Sequence, residues 1–333
     1  MLEHGGRLRE AATRHGIPLA DWLDLSTGIN PNAWPAPPLP ASAWARLPED
    51  EDGLEAAARD YYGTACLLPV AGSQAAIQAL PHLIAPCRVG VIHPGYSEHA
   101  RAWRQAGHAV TTVPVPELDS AVARSNVIVL IHPNNPTGAC FTREQLLDWR
   151  AQLTARGGWL VVDEAFMDAT PEASLAPLCP LPGLVVLRSV GKFFGLAGAR
   201  VGFVCAEPGL LTRLKTHFGP WTLTAPSRHV AARAFDDHAW QQATREGLKL
   251  ASQRLAALLQ RHALTPRGGC ALFQWVPTPY AAELHDRLAR SGILTRLFET
   301  PASLRFGLPG AEADWARLDA ALADIRVPIG ACP

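Results

Sequence analysis

The chain has 333 residues, 48% hydrophobic and 18% charged, with Lys+Arg and Asp+Glu balanced at 30 each. That length carries a large core and that composition excludes a disordered chain, while the charge totals imply no basic face for nucleic acid. Seven scattered cysteines without a Cys-x-x-Cys pair indicate neither a disulfide framework nor a zinc site. MLEHGGRLRE lacks an apolar signal core, and no apolar run approaches the ~18 residues of a membrane span, so the expectation is a cytoplasmic protein with reduced thiols and a small-molecule partner.

In chain order, HGGRLREAATRHGI has a short helical pattern from Leu8 to His15 behind His4 and two glycines, and WLDLSTGINPNAWPAPPLP is extended and broken by prolines. DEDGLEAAARDYYG reads as a helix, and VAGSQAAIQALPHLI opens a second one at Gly72, Ser73 and Gln74, where free backbone N–H groups attract a phosphate. An apolar strand at Val89–His93 places Tyr96 and His99 just beyond its end. A second, Val127–Ile131, runs into HPNNPTG, where Asn134, Asn135, Pro136 and Gly138 make a turn, and Thr142 with Gln145 predicts a capping box on the next helix. GWLVVDEAF delivers Asp163 and Glu164 to the end of a buried strand. A carboxylate there either caps the next turn or holds a cation, and a protonated ring nitrogen suits it better than a metal because no histidine ligands lie nearby.

RSVGKFFGLAGARVG then follows the apolar run Leu184–Leu187. Lysine occurs only at 192, 215 and 249, and the last two lie in polar helical patterns. Lys192, at a strand end before a Gly-rich loop, has the setting for Schiff-base chemistry, which arginine cannot perform. Ser189 and Arg200 flank it and suit one phosphate. The repeated strand, turn and helix pattern from about Ala65 to Glu207 predicts an α/β domain with a mostly parallel sheet and helices on both faces. Beyond it come a long helix with Leu248, Leu255, Leu258 and Leu259 on one side, short strands at Ala271–Val276, Leu294–Leu297 and Ser303–Gly307, and a helix at Ala281–Ser291. These make a smaller α+β domain, with Arg296 and Arg305 on its last two strands suited to an anionic substrate. The expected division is an N-terminal segment 1–45 packing with the small domain, a large domain 46–228 and a small domain 229–333.

Gly72-Ser73-Gln74, HPNNPTG, VVDEAF and SVGKFFGLAGARVG, in that order and spacing, resemble the pyridoxal-phosphate-dependent aminotransferase superfamily of fold type I over nearly the whole chain. Within it the chain is similar to the histidinol-phosphate aminotransferase branch, and HGGRLREAATRHG with DLSTGINP looks more like the threonine-phosphate decarboxylases of cobalamin biosynthesis. The resemblance implies pyridoxal 5′-phosphate as cofactor, no metal, and a homodimer acting on a small phosphorylated amino acid. By position, Lys192 would form the Schiff base, Asp163 would pair with the pyridinium nitrogen, Asn135 would bond the ring's O3′ and Tyr96 would stack on the ring. Gly72, Ser73, Gln74, Ser189 and Arg200 would surround the cofactor phosphate. Arg305 would bind the substrate carboxylate, with Arg296, His4, Gly28 and Asn30 toward the substrate's anionic groups. Burial beside this cationic system is expected to depress the pKa of Lys192.

Three positions depart from the pattern of relatives. Phe166 and Leu47 stand where tyrosines are usual, and Gly191 where serine is common. The first two favour decarboxylation of L-threonine O-3-phosphate to (R)-1-amino-2-propanol O-2-phosphate over the alternative, a histidinol-phosphate-type aminotransferase. A non-catalytic, cofactor-binding regulatory module is a remoter alternative, because the chain spends almost all its length on the fold itself.

Overall fold

The computed structural model describes residues 5–325. They cluster into two compact units, a larger one of Ala33–Asn135 with Ala139–Ala243, and a smaller one of the described residues up to Asn32, Pro136–Gly138 and those from Thr244 on. Besides the Pro136–Gly138 excursion, the chain passes between them at Asn32/Ala33 and at Ala243/Thr244, and the helix Ala225–Asp236 packs on the helix Leu54–Tyr62 of the larger unit.

After a two-residue strand, β1 (Leu23–Asp24), seven strands build the larger unit: β2 (Leu67–Val70), β3 (Arg88–His93), β4 (Ala109–Pro114), β5 (Val127–Ile131), β6 (Trp159–Asp163), β7 (Leu184–Ser189) and β8 (Gly202–Cys205). They lie in the order β2-β8-β7-β6-β5-β3-β4, parallel except for β8, which is antiparallel to both of its neighbours. In β5 every residue of VIVLI is buried, so the sheet is covered on both faces, as a parallel sheet requires. β4 is the opposite case. At the sheet edge it buries Val113 and exposes Thr111 and Thr112, so it shows no apolar run and is absent from the expected strands. The expected capping box is present: Gln145 N–H donates to Thr142 Oγ1 at 3.2 Å and Thr142 N–H to Gln145 Oε1 at 3.0 Å.

The parallel strands end along one edge. Register pairs Ile131 with Asp163 and Asp163 with Leu187, while Ser189 and Val70 both pair with Gly202. The ends of β2, β5, β6 and β7 therefore lie level with the start of β8. Directly after β7, Phe193 and Phe194 are fully buried, Phe194 stacked on Trp240 at 5.7 Å and edge-on to Phe235 at 5.6 Å. Two buried aromatics anchor the loop on the residue after Lys192, which fixes the lysine's backbone.

The smaller unit holds β9 (Gly268–Cys270), β10 (Phe273–Pro277), β11 (Ile293–Leu294), β12 (Arg296–Glu299) and β13 (Ala302–Gly307). Its antiparallel sheet runs β12-β13-β10-β9, and β1 pairs in parallel with β11. The stretch expected as one strand, Leu294–Leu297, is therefore two, belonging to different sheets. The break is Thr295, whose buried hydroxyl bonds His285 Nδ1 at 2.9 Å. Ala271–Val276 likewise becomes the end of a β9–β10 hairpin.

Candidate active site

At the end of β6, two adjacent carboxylates have opposite surroundings. Asp163 is 4% exposed; its Oδ2 lies 2.9 Å from His99 Nε2, and its Oδ1 accepts from Ala165 N–H at 3.0 Å. Since the carboxylate accepts, Nε2 of His99 carries the proton. Glu164 is fully buried and accepts from Ser174 Oγ at 2.5 Å, from Leu175 N–H at 2.7 Å and from Arg188 Nη1 at 2.5 Å. Arg188 also pairs with buried Asp168 and lies 4.6 Å over the Tyr62 ring. Burial works against the charge of Arg188, but Asp168 and Glu164 outweigh it and raise its pKa further. Of the two roles open to a carboxylate at this strand end, Glu164 takes a cation from the protein itself, and Asp163 is the one at the edge where a ligand binds.

The tandem asparagines also separate. Asn134 is fully buried and donates Nδ2–H to Pro94 O at 2.9 Å, tying the turn after β5 to the turn after β3, while Asn135 is only half-buried. Tyr96 donates its hydroxyl to Gln74 Oε1 at 3.2 Å, and Gln74 Nε2 lies 3.4 Å from Glu98 Oε2. The Gln74 amide thus holds Tyr96, which leaves its backbone as the part suited to a phosphate.

Four elements close on Gly72. A Cβ there would lie 2.7 Å from Arg200 Nη2, and φ of +73° is a conformation that favours glycine. A Cβ at Gly202 would lie 2.5 Å from Ser73 N. Two glycines are what let the Ser73 backbone and the Arg200 guanidinium converge on one point, beside Ser189 at the end of β7. Gly191 has a local reason too: a Cβ would stand 3.1 Å from Ala197 Cα, so the serine common among relatives is tight here. Lys192 Nζ lies 5.5 Å from the Phe166 ring centroid, a ring with no hydroxyl to offer. An anion cradle, a buried carboxylate held by histidine, a half-buried lysine and an amide at one sheet edge fit a phosphorylated ring with a basic nitrogen.

The smaller unit carries its own cationic site. Arg296 and Arg305 are direct partners across β12 and β13, and like charges directly opposite destabilise a strand pair. Arg305 is 4% exposed, donates to the Ser26 carbonyl and stacks 5.2 Å from the Phe273 ring. Burial, then the charge of Arg296, push its pKa down to about 10. Gly28 and Asn30 belong to the adjoining turn, where Asn30 Oδ1 accepts from Asn32 N–H at 3.0 Å. His4 lies outside the described residues. Sequence pattern did not identify His99 as the partner of Asp163 or Arg188 as the partner of Glu164. The available signal was position alone, His99 three residues after Tyr96 and Arg188 at the end of an apolar strand.

A family model described as aminotransferase class I and II matches residues 47–325. The chain belongs to that family. It is 59% identical over 328 residues to a threonine-phosphate decarboxylase of Pseudomonas aeruginosa, covering 98% of this chain and 99% of the relative, and 41% identical to another from a Sinorhizobium species, with 98% and 99% covered. Among solved structures, the histidinol-phosphate aminotransferase of Sinorhizobium meliloti in complex with pyridoxal-5′-phosphate matches with a TM-score of 0.82 at 23% identity, covering 97% of this chain and 95% of that one. No helix of the described residues is long and apolar enough to cross a membrane.

Proposed function

We propose that the chain is a pyridoxal-phosphate-dependent lyase that decarboxylates L-threonine O-3-phosphate to 1-amino-2-propanol phosphate and carbon dioxide. The reading rests on full-length identity to threonine-phosphate decarboxylases, and the observation that carries it is the opposed Arg296–Arg305 pair, a costly arrangement suited to a substrate with two anionic groups.

Lys192, Asp163, Asn135, Tyr96, Gly72, Ser73, Gln74, Ser189 and Arg200 would hold the cofactor, which when bound supplies a sink for the electron pair left on the substrate's α-carbon. Asp163, its carboxylate held by His99, keeps a proton on the basic ring nitrogen. Arg200 and the Gly72–Ser73 backbone fix the phosphate end, and Asn135 fixes the ring's hydroxyl oxygen. Arg305 binds the substrate carboxylate, while Arg296 and the Ser26–Asn30 turn with Gly28 take the substrate phosphate. When the bond from the α-carbon to the carboxylate breaks and carbon dioxide leaves, Lys192 Nζ delivers a proton to that carbon and regains one from solvent.

The same reading makes the protein a cytoplasmic homodimer. Trp44, Leu47 and Trp221 are 72%, 63% and 61% exposed on the larger unit, large apolar side chains that a second copy would cover; a light-scattering mass of one chain would refute the dimer. Six free cysteines among the described residues suit a reducing compartment. The function is tested by giving the loaded protein L-threonine O-3-phosphate with and without 2-oxoglutarate: carbon dioxide release is expected, and sustained glutamate formation would refute decarboxylation in favour of transamination.

A further inference from the structure

One carboxylate gathers three segments of the larger unit around the loop that carries Lys192. Asp237 separates the helices Ala225–Asp236 and His238–Arg261; its Oδ2 accepts from Trp34 Nε1–H at 3.0 Å and its Oδ1 from Trp240 N–H at 3.1 Å. We infer that Asp237 is a positioning residue for Lys192, holding the loop beyond the lysine through Trp34 and Trp240; the inference rests on the role proposed above for Lys192.

Both arms end on Phe194, two residues after Lys192. Trp34 N–H donates to the Phe194 carbonyl at 2.9 Å, and the Trp240 ring stacks on the Phe194 ring at 5.7 Å with 14° between planes. Backbone and side chain of Phe194 are therefore gripped separately, and the two grips meet at one carboxylate. The turn carries them to the lysine. Gly195 N–H donates to Lys192 O at 3.2 Å, closing residues 192–195 into a hydrogen-bonded turn in which Phe194 cannot shift without its neighbours. Helix capping alone does not account for Asp237. A serine in its place would accept from Trp240 N–H just as well, whereas a carboxylate has a second oxygen, and that oxygen goes to Trp34. Trp34 needs such a partner, since it is 7% exposed and heads a stretch whose Pro35, Pro37, Pro38 and Pro40 have no N–H to pair. The corner that presents Asp237 is fixed from within: buried Gln241 Nε2 donates to the carbonyls of Ala234 at 2.9 Å and Phe235 at 2.7 Å. A braced helix corner thus sets where the Lys192 loop lies.

The test follows covalent capture of pyridoxal phosphate by Lys192 in the cofactor-free full chain, fixed at intervals with borohydride and read by peptide mass, with Lys215 and Lys249 as references for unselective reaction. Trp34→Phe keeps a ring but loses the indole N–H, and Asp237→Ser keeps the cap but loses the second oxygen. Each is expected to slow capture about ten- to hundredfold, the scale of a small misplacement of a reacting group. The double variant should be no slower than either single, because both break one link. Turnover number for carbon dioxide release should fall by a similar factor with KM within about twofold. Trp149→Phe is the control: it loses the same kind of bond in the same unit, Trp149 Nε1–H to Asp119 Oδ1 at 2.7 Å, and should capture cofactor at the wild-type rate. Capture at the wild-type rate in Trp34→Phe would overturn the inference, as would an equal slowing in Trp149→Phe, which would mark general loosening. Trp34→Phe decides by itself if Asp237→Ser fails to fold. A wild-type chain that captures cofactor on Lys192 but releases no carbon dioxide would end the decarboxylase reading, while the capture rates would still decide the role of Asp237.

Discussion

Replacing Arg188 with methionine would remove the cation that Glu164 and Asp168 share. Both carboxylate side chains are fully buried, and methionine fills much of the arginine's stem, so the loss is electrostatic. Breaking a buried pair by deleting one partner costs about 3–5 kcal/mol. Glu164 keeps its bonds from Ser174 Oγ and Leu175 N–H, which argues for the middle of that range, about 4 kcal/mol. With an unfolding entropy of about 2.1 cal/mol/K per residue, a 333-residue chain loses about 6 °C in Tm. Differential scanning of the holoenzyme at pH 7.5 measures it. The deficit should shrink as pH falls, because the stranded carboxylates take up protons, and Arg188→Met combined with Glu164→Gln and Asp168→Asn should recover most of it. A fall below about 2 °C, or a triple variant no better than the single, would refute the reasoning.

Burial holds His132 at a pKa of about 4, while its Nε2 accepts from Phe141 N–H at 3.1 Å. The unfolded chain, near 6.5, binds the proton first, so this contribution is complete above about pH 6.5 and is lost as pH falls to about 4, a total of about 3 kcal/mol. Thermal scans from pH 7 to 4.5 should show a shallower decline in His132→Gln than in wild type; parallel declines would contradict it. For Gly72→Ala the clash is with the movable end of Arg200, but φ +73° with ψ 155° is a region almost confined to glycine, so the chain should fold with a loss of about 1–3 kcal/mol while cofactor affinity falls at least tenfold. Equilibrium dialysis with pyridoxal phosphate checks this, and unchanged affinity would place the phosphate elsewhere. Gly202→Ala meets backbone at Ser73 N and Arg188 O and should destabilise more in the same scans.

Much of the candidate site was legible because its residues stand at the ends of strands that are continuous apolar runs. β5, β6 and β7 announce themselves, and Asp163, Lys192 and the HPNNPTG turn follow from where they stop. β4 was not legible, since an edge strand with exposed threonines has no burial to betray it. Neither was the split of 293–299, because apolar positions on two sheets read as one strand until Thr295 is seen buried beneath His285. Adjacent residues of the same type were the harder problem. Asp163 and Glu164, or Asn134 and Asn135, part company only when long-range partners appear: His99, 64 residues from Asp163, and Arg188, 24 from Glu164. Side-chain networks of that range are written in no local pattern.

The role proposed for Lys192 is that of the proton donor in a decarboxylase. Mass and gas analysis of the cofactor-loaded protein with L-threonine O-3-phosphate, run beside Lys192→Ala, tests it most directly. Carbon dioxide with an equal amount of aminopropanol phosphate, absent in the variant, is the predicted result. An untouched substrate, with glutamate formed instead from histidinol phosphate and 2-oxoglutarate, would contradict it.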